Sequence, residues 1–171
     1  MERKLTILIN IYAIFLLLFV LAYYGYYLYI GVLWGFGERM FTLLVSDSLF
    51  LLFIPAAAGI LLKKTWSWWL NMIIFFQLFI AKFIALGANV TLLMTDTVAQ
   101  PLQGSNLLVE ILYLVLYLII ITALSLNIVK QRLSVNRKFG EWFWRVFTGA
   151  IGLYVFHFII TLLVIAWVSP V

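Results

Sequence analysis

Long apolar runs separated by short polar punctuation set the pattern of this chain. Runs over residues 5–29, 41–62, 66–87, 107–129 and 146–168 each approach or exceed the roughly 20 residues that a helix needs to cross ~30 Å of hydrocarbon. Inside lipid a backbone must satisfy its own N–H and C=O groups, so runs of this length predict helices. The expectation is an all-α polytopic membrane protein, a bundle of five transmembrane helices in a single domain covering residues 1–171. The stretch from Leu5 to Ala22 has the outline of a signal peptide. It outruns a signal h-region, lacks a small-x-small cleavage site and continues into Tyr23-Tyr24-Gly25-Tyr26-Tyr27, so it is read as the first span.

The polar punctuation is asymmetric. If the chain crosses at every run, Arg3, Lys4, Lys63, Lys64, Lys130, Arg132, Arg137, Lys138 and Arg145 fall on one side. Only Arg39 falls on the other, and Lys82 lies within a run. Basic residues are retained on the cytoplasmic side, which predicts a cytoplasmic N-terminus and, after five crossings, an external C-terminus. A plasma membrane, expected to be bacterial, is the predicted location. The tryptophans sit at run ends, and Trp66, Trp68, Trp69, Trp142 and Trp144 are expected to anchor the inner interface. The tyrosines from Tyr23 to Tyr29 are expected to form an outer aromatic belt, with a ring-lined ligand site as the alternative.

Pro55 supplies no amide proton and frees the carbonyl of Leu51, which predicts a kink in the second helix. Ala56-Ala57-Ala58-Gly59 follows, and Ala58 and Gly59 in particular favour close helix packing. The outer loop, 88–106, is expected to be a plain connector, with contact to an external partner as the alternative. Within it Asn89-Val90-Thr91 matches a glycosylation triplet, too close to the membrane to carry weight. The inner loop, 130–145, interleaves basic and aromatic residues, which suits a segment lying along headgroups and attracting anionic lipid. Nucleic acid is not an expected partner, because the basic surplus is accounted for by topology.

The costly residues are the ionisable ones inside the runs. A lysine at mid-bilayer costs roughly 2.5–3.5 kcal/mol even on mild insertion scales, so Lys82 requires a partner or a wet path. At ~1.5 Å per residue, Asp47, Lys82 and Glu110 lie about 9, 7 and 5 Å below the outer boundary, close enough in depth to form a polar cluster. Tyr113 and Tyr117 share the helix face of Glu110. His157 lies near the middle of the last run, between Tyr154 and Thr161 on the same face, as a candidate proton or ligand contact. On α-helical geometry Asn71, Lys82 and Asn89 make one polar stripe, and Gln77 points away from it.

Composition agrees with the pattern: 67% hydrophobic and 10% charged, against about half and about a quarter in soluble domains. With no cysteine and one histidine, thiolate and polyhistidine metal sites have no ligands, so neither metal nor cofactor is expected. No phosphate loop or nucleophile elbow is present, and Ser46, Ser48 and Ser125 have no supporting motif for pairing with His157, so enzyme activity is not expected. The first functional expectation is a non-enzymatic accessory, immunity or assembly protein acting through helix contacts, with a membrane-protein partner or a second copy. The alternative is a small transporter or channel subunit using Asp47, Lys82, Glu110 and His157 to move a proton, ion or small solute.

Overall fold

The computed structural model describes residues 2–94 and 104–168. Among these, α1 (Glu2–Trp34), α2 (Glu38–Ser46), a 3-10 turn (Ser48–Leu52), α3 (Phe53–Leu61), α4 (Thr65–Met94), α5 (Gly104–Ser125), α6 (Asn127–Arg132) and α7 (Phe139–Val168) follow in order. The protein is an all-α bundle. Among the described residues, four helices are long and apolar enough to cross a membrane, or five spans if the bent pair of α2 and the helix after it counts as one.

Each long helix buries one narrow stripe and leaves the rest of its surface apolar and exposed. Ala13, Leu16 and Val20 of α1 recur at helical spacing and are buried against Phe53, Ala56, Ala57 and Ile60 of α3. Trp68, Met72 and Phe75 of α4 continue the core toward Ile121 and Leu124 of α5 and toward Trp142, Val146 and Ala150 of α7. The outward residues, Phe15, Leu21, Leu112, Phe156 and Leu163 among them, are as apolar as the core. An aqueous solvent would penalise such faces; hydrocarbon does not.

Alpha-4 is the central element, packed against α3, α5 and α7, while α1 leans on α3 and α2 turns aside to α7. Small residues permit the α3–α4 approach. A Cβ on Gly59 would lie 2.6 Å from the Cβ of Ser67 and 2.7 Å from the Trp66 ring, so glycine is needed there. Ala56 and Ala57 are fully enclosed, Ala58 is partly so, and Pro55 is exposed.

The helical stretch from α2 through α3 bends by 47°, but not at Pro55. Alpha-2 ends at Ser46, and Asp47 leaves helical geometry (φ −99°, ψ 5°) before the 3-10 turn. Pro55 is the third residue of α3, within the first turn, where amide protons have no intrahelical acceptor and proline is tolerated. The boundaries also differ from the sequence expectation. Alpha-4 continues through Met94, and α7 starts at Phe139 rather than near residue 146.

The segment expected to lie along the headgroups turns a few of its apolar residues into the bundle and leaves Gln131, Ser134 and residues 136–141 exposed. Alpha-6 ends in a left-handed residue, Ser134 (φ 55°), with Val135 N–H donating to the Lys130 carbonyl at 2.8 Å and Ser134 N–H to the Gln131 carbonyl at 3.1 Å. That capping pattern reverses the chain and drives Val129, Leu133 and Val135 into the core. The same geometry ends α3: Lys63 (φ 53°) precedes a 2.8 Å bond from Lys64 N–H to the Gly59 carbonyl.

Candidate functional site

A cavity of about 390 Å³ lies where the bent α2–α3 pair faces α4, α5 and α7. Its polar lining comes from Asp47, Gln77, Lys82, Tyr117, Tyr154 and His157, with Ser46 and Thr161 beside them. The break at Asp47 is what opens it, because α2 diverges toward α7 while α3 stays against α1 and α4.

A helix interrupted in apolar surroundings must have its freed polar groups satisfied from elsewhere. Two tyrosines of α1 do this. Tyr24 donates to the Asp47 carbonyl oxygen at 2.8 Å, which also accepts from Phe50 N–H at 3.0 Å. Tyr23 donates to Asp47 Oδ2, and Tyr23 and Tyr27 hydroxyls are 3.5 Å apart. These tyrosines, expected as part of an interfacial belt, clamp the break; Tyr26 and Tyr29 remain exposed.

Lys82 enters from α4. Its Nζ lies 5.4 Å from the centroid of the Tyr113 ring, and among the described residues no carboxylate lies within ion-pair distance of it. A cation over an aromatic face is attracted by the ring quadrupole, typically by ~0.5–2 kcal/mol, less than a full ion pair would supply in so apolar a setting. Glu110, the other acid placed near this depth, is engaged elsewhere. Asn89 Nδ2 lies 3.2 Å from both of its carboxylate oxygens. Tyr113 stacks on Tyr117 at 6.2 Å, so α5 presents Glu110 to Asn89, Tyr113 to Lys82 and Tyr117 to the cavity. Asp47 and Lys82 therefore share one cavity, while Glu110 is not among its lining residues.

His157, expected some 10 Å deeper at ~1.5 Å per residue, lines the same cavity as Asp47 and Lys82. Thr161 Oγ–H donates to the His157 carbonyl at 2.9 Å. The imidazole Nε2 is buried and has no hydrogen-bond partner among the described residues, and the same is true of Gln77 Oε1. Gln77 is almost wholly enclosed, and the stripe geometry points it away from Lys82. About 140° separates the two on the helix at 100° per residue, and the cavity is broad enough to meet both edges of α4. The signal for Gln77 was its presence in an apolar run at all.

Asn71 and Trp68 are internally satisfied. Tyr12 donates to Asn71 Oδ1 at 3.0 Å and Asn71 Nδ2 donates to the Ser67 carbonyl at 2.8 Å. Trp68 is fully buried, its Nε1–H bonded to the Leu124 carbonyl at 2.8 Å, and its ring meets Trp142 edge-on at 5.7 Å. Trp68 and Trp142 are thus core residues rather than headgroup anchors, Trp69 is partly enclosed, and Trp66 and Trp144 face outward. Among the described residues, no three His, Asp or Glu side chains converge as a metal site would require. No family model, curated protein or solved structure matches the chain.

Proposed function

We propose that this is a five-span membrane protein, N-terminus cytoplasmic, that binds a small hydrophilic solute or ion in the cavity at the broken span and carries it through the bilayer. The carrying observation is that Lys82, with no carboxylate partner among the described residues, and two buried polar atoms without hydrogen-bond partners among those residues, Gln77 Oε1 and His157 Nε2, surround one space. An unsatisfied buried polar group costs about 1–3 kcal/mol. Two such groups on one cavity, beside a lysine held only by a ring face, are better explained by an occupant than by packing. Lys82 supplies a donor for an anionic or acceptor group, and Gln77 Oε1 supplies an acceptor for a donor group. Asp47, held by Tyr23, adds the opposite charge. A small zwitterionic or strongly polar solute, or water conducting protons, fits that set. Broken helices with a site near the bilayer interior are a recurrent way to build such cavities.

Reconstitution into liposomes tests this. Stopped-flow light scattering reads glycine and glycerol entry, and a trapped pH dye reads proton flux under a potassium diffusion potential. One of these fluxes is expected above empty liposomes and is expected to fall by about tenfold or more in Lys82→Met and His157→Gln, groups whose loss removes the polar path. Inserted, folded protein with no flux of any kind contradicts the proposal. Co-purification of a stoichiometric membrane partner from native membranes would then favour the accessory or assembly role.

A further inference from the structure

At the other end of the bundle, the reversal after α6 creates a second polar space of about 460 Å³, between the last turn of α5 and the start of α7. Its polar lining is Asn127, Lys130, Asn136, Arg137, Lys138 and the Trp142 indole, with Ser125 already donating to the Ile121 carbonyl at 2.7 Å. No carboxylate lines it. Glu141, the acid nearby in sequence, lies 3.4 Å from Arg137 in an exposed pair.

Two groups here are left short of partners. Lys130 is only 8% exposed, yet among the described residues its ammonium has a single long contact, 3.4 Å to the Arg137 carbonyl. A buried cation without a counter-charge is strongly disfavoured. Trp142 is 2% exposed, and its Nε1–H has no acceptor among the described residues. Both line the same space. The start of α7 at Phe139 adds the partial positive charge of a long helix's N-terminus at the rim.

We infer that this cup is a binding site for a phosphate-bearing anion, with Lys130 and Lys138 supplying charge and Trp142, Asn127 and Asn136 supplying directed donors. A phosphoryl group offers several acceptor oxygens with little steric demand, which matches a lining of donors and no acid. The ligand is either the phosphodiester headgroup of a membrane lipid or a soluble phosphate. Phe139 and Leu126, both highly exposed beside the cup, give acyl chains an apolar surface to follow. The site is independent of the cavity at Asp47 and stands or falls separately from it.

Native mass spectrometry of the full chain in neutral detergent provides the test, with phosphatidylglycerol and phosphatidylcholine as probes and inorganic phosphate as competitor. One phosphatidylglycerol is expected to be retained about tenfold more tightly than phosphatidylcholine, whose ammonium has no acid to meet. Lys130→Met and, at the exposed rim, the double variant Asn127→Asp/Lys138→Glu are each expected to lower retention by about tenfold or more, the second without touching the core. Displacement by inorganic phosphate supports the site and assigns it to soluble phosphate; resistance to displacement assigns it to lipid. If the rim variant folds and holds phosphatidylglycerol as tightly as wild type, or if the two lipids bind equally, the inference is overturned.

Discussion

Asp47 places a carboxylate and a broken backbone in apolar surroundings, and two tyrosines one helix away answer both. Tyr23→Phe removes a donor to a carboxylate and is expected to lower stability by about 1.5–3 kcal/mol, the range for hydrogen bonds to charged groups. Tyr24→Phe leaves the Asp47 carbonyl its bond from Phe50 and is expected to cost only about 1 kcal/mol. Thermal unfolding of the two variants in one detergent checks the order, and equal effects would remove the clamp from the explanation. The residues whose burial is costly were legible from the chain, since Asp47, Lys82 and His157 each interrupt an apolar run. Their partners were not. Tyr23 reads equally well as belt or clamp, and Gln77 joins the cavity because of where α2 and α7 lie, which no periodicity within α4 records. Depth alone grouped Glu110 with Lys82, whereas the facing side chain on α4 is Asn89.

At the level of elements, run length and interface residues made the helices readable, and the errors concentrate at breaks. Proline is the strongest sequence signal for a kink, but it is harmless in a helix's first turn, where Pro55 sits. Pro55→Ala is therefore expected to change stability by less than about 1 kcal/mol. Gly59→Val, which forces a branched side chain into Ser67 and Trp66, is expected to cost about 1–3 kcal/mol or more. The reversal after α6 was equally hidden, because its left-handed residue is Ser134 and not a glycine. Ser134→Gly should relieve about 1 kcal/mol of backbone strain, seen as a higher midpoint in the same unfolding assay. A lower midpoint would mean that the serine side chain contributes more than its backbone costs.

For the whole molecule, the basic residues and the packing agree on one polar end. Leu5 shares a surface pocket with Gln131, Arg132 and Ser134, and Thr65 shares another with Arg137 and Arg145, so the start of α1, the start of α4 and the segment before α7 lie together. Because the chain has no cysteine, single cysteines report topology cleanly. Ser134→Cys is expected to label only from the cytoplasmic side and Gly37→Cys only from outside, which would make the bent pair a true crossing. Labelling of both from the same side would leave it re-entrant. The proposed function rests on the cavity beside that bend, and solvent access to it is the most direct test. In proteoliposomes, a small charged thiol reagent should modify Ala81→Cys, in the cavity lining, about tenfold or more faster than Phe83→Cys on the exposed apolar face, because only a hydrated thiol ionises and reacts. If Ala81→Cys reacts no faster than Phe83→Cys, the cavity is dry and the proposed solute path does not exist.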